Sequence, residues 1–188
     1  SFAPADNSFI QFSDNDLFDI SSSDDFTVEF FFNPNTLHSA NLMGDYNASS
    51  SDYFMINMNS NSSSRIIYVY TGNGAALSKT YPSGAIEAGR WHHFALNRNS
   101  GTLTWYLDGT SIGTASNTTS WNVNEFRINK AHNGSNTTFD GLISNVRVVI
   151  GSAVYGNGST ITVPTSTLTD VANTKLLACT TSDLTLDA

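Results

Sequence analysis

From Trp91 to Thr114 the chain alternates with a period of two and is broken twice by turn residues. Trp91, His93 and Ala95 fall on one side, His92, Phe94 and Leu96 on the other. With both sides largely apolar, this predicts a central strand covered on both faces. Asn99-Ser100-Gly101 predicts a short turn in which Gly101 takes positive φ. Leu103, Trp105 and Leu107 then alternate with Thr102, Thr104 and Tyr106. Asp108-Gly109 is a strong hairpin signal, because a type I′ turn needs positive φ at both central residues. Ile112 starts the returning strand, so the stretch reads as a three-stranded meander.

The same period recurs along the rest of the chain. Strands are predicted around Phe9, Ile10 and Phe12, and from Phe26 to Phe32, where Phe26, Val28, Phe30 and Phe32 share a face. Asn33-Pro34-Asn35 ends the second of these, since proline cannot donate to a ladder. Tyr53 to Met58 and Arg65 to Tyr70 are expected to pair across a Ser/Asn loop, followed by Leu77 to Tyr81 and Glu125 to Asn129. Leu142 to Ile150 is a continuous apolar run flanking Arg147, and Lys175 to Cys179 closes the set. Residues 164–171 predict a single helical turn at most. No long helix and no repeat at propeller or solenoid periods is present. The pattern predicts an all-β protein, an antiparallel β-sandwich of residues 1–180 with residues 181–188 as a polar tail or the start of a linker.

Composition narrows the class. A chain of 188 residues fits one sizeable β-domain. It is 12% aromatic but only 13% charged, against a usual charged share of about 25%; Ser, Thr and Asn fill the polar positions, as in extracellular β-proteins. A net charge of −8 argues against a partner that presents phosphates, so no nucleic-acid role is expected. No apolar run is long enough to cross a bilayer, so no membrane insertion is expected. Cys179, the sole cysteine, is expected as a small buried hydrophobe. The chain carries neither an initiator Met nor a signal-peptide pattern and reads as part of a longer protein.

Catalytic chemistry finds little support. Glu29, Glu87 and Glu125 each stand alone on their strands; Glu29 is expected on the solvent side or paired across the sheet. His92 and His93 are adjacent strand residues that point to opposite faces and cannot share an ion. One is expected hydrogen-bonded in the core and the other half-exposed. No Gly-x-Ser-x-Gly elbow occurs. Trp91 and Trp105 are expected to pack.

Three segments carry a family resemblance. Trp91-His92-His93-Phe94-Ala95-Leu96 with Leu103-Thr104-Trp105-Tyr106-Leu107-Asp108-Gly109 resembles the central strands of laminin-G-like domains, members of the concanavalin A-like lectin/glucanase superfamily. Asp25 to Pro34 resembles that family's early strand, with Phe31 where Trp is usual, and Phe139 to Val148 its late strand. The resemblance implies a jelly-roll sandwich. Glucanases of the superfamily place three acids on one strand, and that motif is absent, which implies a non-enzymatic domain. By resemblance to pentraxin-like and laminin-G-like domains, two polar loops are implied to meet and to hold Ca²⁺ together with a sugar or acidic group. Oxygen ligands suit that ion: Asp45, Asp52 and Asp140 are the metal candidates. Asp45, Tyr46, Asn47, Tyr53, Trp121, His132, Asn133 and Asn136 are the ligand-binding candidates, the aromatic rings because a flat ring covers the apolar face of a pyranose. The late segment Asn145 to Tyr155 resembles domains of phage and viral structural proteins. The expected function is a carbohydrate- or surface-binding module, of tail-fibre or adhesin type, on an extracellular or virion surface. Its expected partners are a glycan or host-surface receptor and the neighbouring domains of a longer chain, with homo-oligomerisation compatible. A structural spacer without ligand and an atypical glycoside hydrolase or lyase stand as alternatives.

Overall fold

The structure is a computed structural model that describes residues 8–13, 16–45, 54–61, 64–71, 76–130 and 138–181. The chain divides into two compact units, the first formed by Ser1–Ser21, Pro34–Arg90 and Thr119–Leu142, the second by Ser22–Asn33, Trp91–Thr118 and Ile143–Ala188. Each is organised on a six-stranded sheet.

The sheet of the first unit contains β1 (Ile10–Ser13), β3 (Ala40–Gly44), β4 (Phe54–Asn61), β5 (Ser64–Thr71), β6 (Ala76–Thr80) and β10 (Glu125–Ile128), in the order β1-β10-β3-β4-β5-β6. All its pairings are antiparallel. Its aromatic residues close on one another. Phe18 stacks on Phe126 with ring centres 5.0 Å apart, and Phe54 meets Trp121 edge-on at 5.5 Å.

The sheet of the second unit contains β2 (Phe26–Pro34), β7 (His92–Asn99), β8 (Thr102–Leu107), β9 (Thr110–Ser116), β11 (Gly141–Ile150) and β12 (Thr174–Ala178), in the order β12-β11-β2-β7-β8-β9. The meander β7-β8-β9 forms as the alternation predicts. Its registers run Val28↔Leu96, Leu96↔Trp105 and Trp105↔Gly113 across four strands. Strand β7 is buried on both faces, which explains its two-sided apolar pattern.

Both hairpin turns take the left-handed backbone that their residues allow. Ser100 and Gly101 have φ of 52° and 72°, and Asp108 and Gly109 have φ of 48° and 80°. Gly109 is doubly constrained, because a Cβ there would lie 2.8 Å from the Ile161 carbonyl oxygen. Gly109→Ala therefore combines strained φ with overpacking and should cost about 2 to 3 kcal/mol in urea unfolding. A loss under about 0.5 kcal/mol would mean that neither constraint holds in solution.

Residues 164–171 form bends and extended chain, within the single helical turn at most that the sequence allows. Their backbone is held by side chains of the second sheet, as described next.

Candidate binding site

In β2 the odd residues Thr27, Glu29 and Phe31 lie on the face opposite Phe26, Val28, Phe30 and Phe32. The register places Glu29 beside Ala95 and Tyr106, Thr27 beside Asn97 and Thr104, and Phe31 beside His93. The chain returns across this face after β11. Val154 N–H donates to Thr27 Oγ1 at 2.9 Å, Asn97 Nδ2 donates to the Tyr155 carbonyl at 2.9 Å, and the Tyr106 hydroxyl donates to the Gly158 carbonyl at 2.8 Å. Arg147 Nη1 donates to the Thr169 carbonyl at 2.8 Å. Residues 151–171 thus form a strap held partly by side chains of the sheet and, at 159–161, by backbone bonds to Gly109 and Ser111 across the Thr110–Thr160 bridge.

Glu29 is the centre of this face. It is wholly buried, and its Oε1 accepts from Arg147 Nη2 at 2.6 Å and from Arg147 Nε at 2.9 Å. Its Oε2 accepts from the Tyr155 hydroxyl at 2.7 Å and faces His93 Nε2 at 3.2 Å. The His93 Nδ1 is buried with no hydrogen-bond partner among the described residues. A bare acceptor nitrogen costs less there than an unpaired N–H, which assigns the proton to Nε2. Burial pushes the Glu29 carboxyl up, but the bonds from His93 and Tyr155 and the Arg147 charge outweigh it and hold the group below its ordinary range. Burial and the Glu29 charge drive the Tyr155 phenol the other way, upward. Glu29 therefore takes the cross-sheet pairing foreseen for it, with Arg147, and not the solvent side. A carboxylate with both oxygens engaged and no solvent contact has no reach to a substrate.

Both histidines of the pair are buried, His92 at 3% exposure and His93 at 1%, whereas the sequence pattern left one half-exposed. The reason is the turn after β8: Asp108 Oδ2 lies 2.8 Å from His92 Nδ1, and Asp108 Oδ1 accepts from the His93 N–H at 2.7 Å. Burial pushes the Asp108 carboxyl up, and these bonds outweigh it and hold the group below its usual range.

Beyond Phe31 the polar face opens. A cleft of about 410 Å³ lies between Phe31, Trp91, Ser144, Asn145 and residues 164–167 of the strap. The expectation that Trp91 packs in the core is corrected. The residue precedes β7, lies outside the ladder and is 48% exposed, so its indole forms an open wall. Trp105, by contrast, is wholly buried as expected. Asn145, at φ of 51°, accepts from the Leu168 N–H at 3.0 Å and so fixes the strap against the strand. Hydroxyls from Thr165, Ser166 and Thr167 and the ring of Trp91 give this cleft the means to hold a polyhydroxylated ligand, while the Ser144 hydroxyl is taken by the Cys179 carbonyl and Asn145 Nδ2. Among the described residues that line it there is no carboxylate, histidine or cysteine.

The residues foreseen on loops are placed differently or not described. Tyr46, Asn47, Asp52, Tyr53, His132, Asn133 and Asn136 lie outside the described residues. Asp45 is 2% exposed. Asp140 accepts from Asn35 Nδ2 at 2.9 Å and from Thr36 Oγ1 at 3.0 Å, which fixes the turn after β2. Trp121 is 1% exposed and donates from Nε1 to the Tyr70 carbonyl at 3.1 Å, so its ring is committed to packing and offers no stacking face. Among the described residues no three of His, Cys, Asp and Glu come together as a metal site.

The family model that matches the chain, over residues 4–152, is described as the concanavalin A-like lectin/glucanases superfamily. The chain belongs to that superfamily. Its fold class is accordingly the antiparallel β-sandwich of the concanavalin A-like jelly roll, in laminin-G-like form. Solved structures of this superfamily's fold agree. A heptameric pentraxin from Limulus polyphemus is 15% identical, with a TM-score of 0.62 over 78% of this chain and 71% of that one. The fourth domain of an extracellular arabinanase from Geobacillus stearothermophilus, in complex with arabinotriose, is 17% identical, with a TM-score of 0.58 over 78% of this chain and 68% of that one. Tailspike protein 2 of bacteriophage CBA120 is 16% identical, with a TM-score of 0.56 over 80% of this chain and 25% of that one. No curated protein matches the chain. At these identities the likeness establishes the concanavalin A-like fold and leaves the site to this chain's own residues.

Proposed function

We propose that this chain is a non-catalytic carbohydrate-recognition module of a larger extracellular or virion-surface protein. The observation that carries the reading is the half-exposed Trp91 indole on the wall of a cleft also lined by Phe31, Asn145, Pro164 and hydroxyl side chains. An exposed ring covers the apolar face of a pyranose, and short hydroxyls exchange hydrogen bonds with its equatorial groups. The arabinotriose-bound domain of similar fold supports a sugar as the ligand class, and the tailspike protein supports a surface setting. The buried, fully engaged Glu29 supports a binding role over a hydrolytic one, since it leaves the cleft without an acid–base pair.

The test is a glycan array probed with a multimerised form, because single sites of this kind are weak and act through avidity. Trp91→Ala should lower binding to the best glycan by roughly 10-fold or more while leaving the melting temperature unchanged. If binding survives that change but is lost in the double variant Asn133→Ala, Asn136→Ala, the loops hold the sugar and the cleft does not. A silent array favours the spacer reading, and turnover of a polysaccharide would replace binding by catalysis. Running the assay with and without a calcium chelator separates a site built on Asp45, Asp52 and Asp140 from one built on Trp91, which needs no ion.

A further inference from the structure

The cleft beside Trp91 is built from two kinds of lining. Strands β11, β2 and β7 are neighbours in the second sheet. Phe31 on β2 thus meets the cleft between Ser144 and Asn145 of β11 and Trp91 just before β7, and residues 164–167 of the strap supply the rest. The Phe31 ring is backed by the His93 ring, with centres 4.9 Å apart. Pro164 is half-buried and has no N–H to offer. Together with Trp91 these two residues present more apolar lining than one face of a sugar can cover. The polar groups divide differently. Ser144 Oγ donates to the Cys179 carbonyl and accepts from Asn145 Nδ2, each at 3.1 Å, and Asn145 Oδ1 accepts from the Leu168 N–H at 3.0 Å. Recognition of a ligand's polar groups therefore falls to Thr165, Ser166 and Thr167, all three exposed. Among the described residues that line the cleft there is no charged side chain.

We infer that this cleft selects an uncharged sugar carrying an acetamido group, an N-acetylhexosamine. The inference rests on the carbohydrate-binding reading and narrows it to a ligand class. A plain hexose has an apolar face for Trp91 to cover. Its remaining surface is hydroxyl, and a hydroxyl set against Phe31 or Pro164 loses its water without gaining a partner. An acetamido group brings a methyl for that lining. It also brings one N–H donor and one carbonyl acceptor, and a Ser or Thr hydroxyl can both accept and donate. A sugar carboxylate would meet no cation among these residues, and the net charge of −8 opposes anions at long range. The volume of about 410 Å³ is of the size that encloses a small ligand.

The experiment titrates the whole chain with N-acetylglucosamine and N-acetylgalactosamine, each beside its parent hexose, glucose or galactose. Sodium glucuronate and 6-deoxyglucose complete the series. The readout is the Trp91 indole N–H signal by NMR, assigned by its loss in Trp91→Ala. At least one acetamido sugar should shift that signal and saturate it about 10-fold or more below the concentration its parent hexose needs, because a buried methyl and two amide hydrogen bonds separate the pair. Glucuronate should bind no more tightly than glucose. Phe31→Ala should remove most of the difference between the acetamido sugar and its hexose and leave hexose binding within about 2-fold of the parent's. The comparison among sugars is made on the parent protein, so it stands however well Phe31→Ala folds. Equal binding of hexose and acetamido sugar in both pairs would overturn the inference and leave the carbohydrate-binding reading intact, since the Trp91 signal still moves. Binding of 6-deoxyglucose as tight as that of the acetamido sugars would overturn the amide, and tighter binding of glucuronate would overturn the uncharged class. If neither acetamido sugar moves the Trp91 signal, this inference fails, and the carbohydrate-binding reading stands or falls with the glycan array.

Discussion

Trp105→Ala costs about 3 to 5 kcal/mol in urea unfolding at neutral pH, the range for truncating a wholly buried large aromatic. The residue sits in the middle of a row that crosses four strands, Val28, Leu96, Trp105 and Gly113, and is fully buried. Glycine opposite it leaves space that the indole fills, and the ladder shifts register between Trp105 and Tyr106. Truncation therefore opens a void that backbone on a continuous sheet cannot collapse to close. Trp105→Phe keeps a ring in the same place and should recover more than half of the loss. The denaturant slope should stay at the parent's value, because the folded surface is unchanged. A loss below about 1 kcal/mol for Trp105→Ala would mean that the indole reaches solvent and that the two faces of β8 are exchanged.

The strands were legible because period-two alternation and turn chemistry are local. Phe26 to Phe32 shows its face by four apolar residues in alternate positions, and Asp108-Gly109 announces a backbone that both residues then adopt. The functional surface was not legible to the same degree, for three separate reasons. Trp91 belongs to the alternating pattern, yet the ladder begins one residue later at His92, so the pattern alone cannot tell a packed ring from an open one. Residues 151–171 form no strand of their own, because scattered bonds to side chains of the sheet and to the backbone of Asp25, Gly109 and Ser111 hold them. Glu29 and Arg147 are 118 positions apart and meet only because β11 lies beside β2. The signal that was there to be read is that each is the lone charge of a largely apolar strand, with opposite sign. Charges are almost never fully buried without a partner, so two such residues predict each other. Trp121 went the other way. Its Thr/Ser/Asn surroundings resemble a binding loop, but its bridge to Ile20 and its bond to the Tyr70 carbonyl draw it inward.

That charge pair gives the second large effect. Glu29→Gln should destabilise by about 3 to 5 kcal/mol at pH 7, because it leaves the Arg147 guanidinium buried beside a neutral amide. The loss extends beyond one pair, since Arg147 and Tyr155 also hold the strap, through the Thr169 carbonyl and through the Tyr155 hydroxyl on Glu29. The pH dependence separates this account from a packing defect. Glu29 is held below its ordinary range in the folded protein, so the unfolded chain takes up its proton first as pH falls. Its contribution is fully present above the unfolded carboxylate value of about 4.3 and is lost progressively as pH drops through the lower folded value. The gap between parent and Glu29→Gln should therefore be constant from pH 8 to roughly 5 and should narrow below about 4, where the parent's own carboxylate is titrated. Urea unfolding of both proteins across that range is the measurement. A gap below about 1 kcal/mol at pH 7 would mean that the carboxylate is not needed to hold Arg147. A large gap that stays constant down to pH 2.5 would mean that the substitution acts through shape and that the charge contributes nothing. The prediction also bears on the cleft, because the strap supplies residues 164–167 of its wall. Under conditions where Glu29→Gln remains folded, loosening at Thr169 should weaken sugar binding at Trp91.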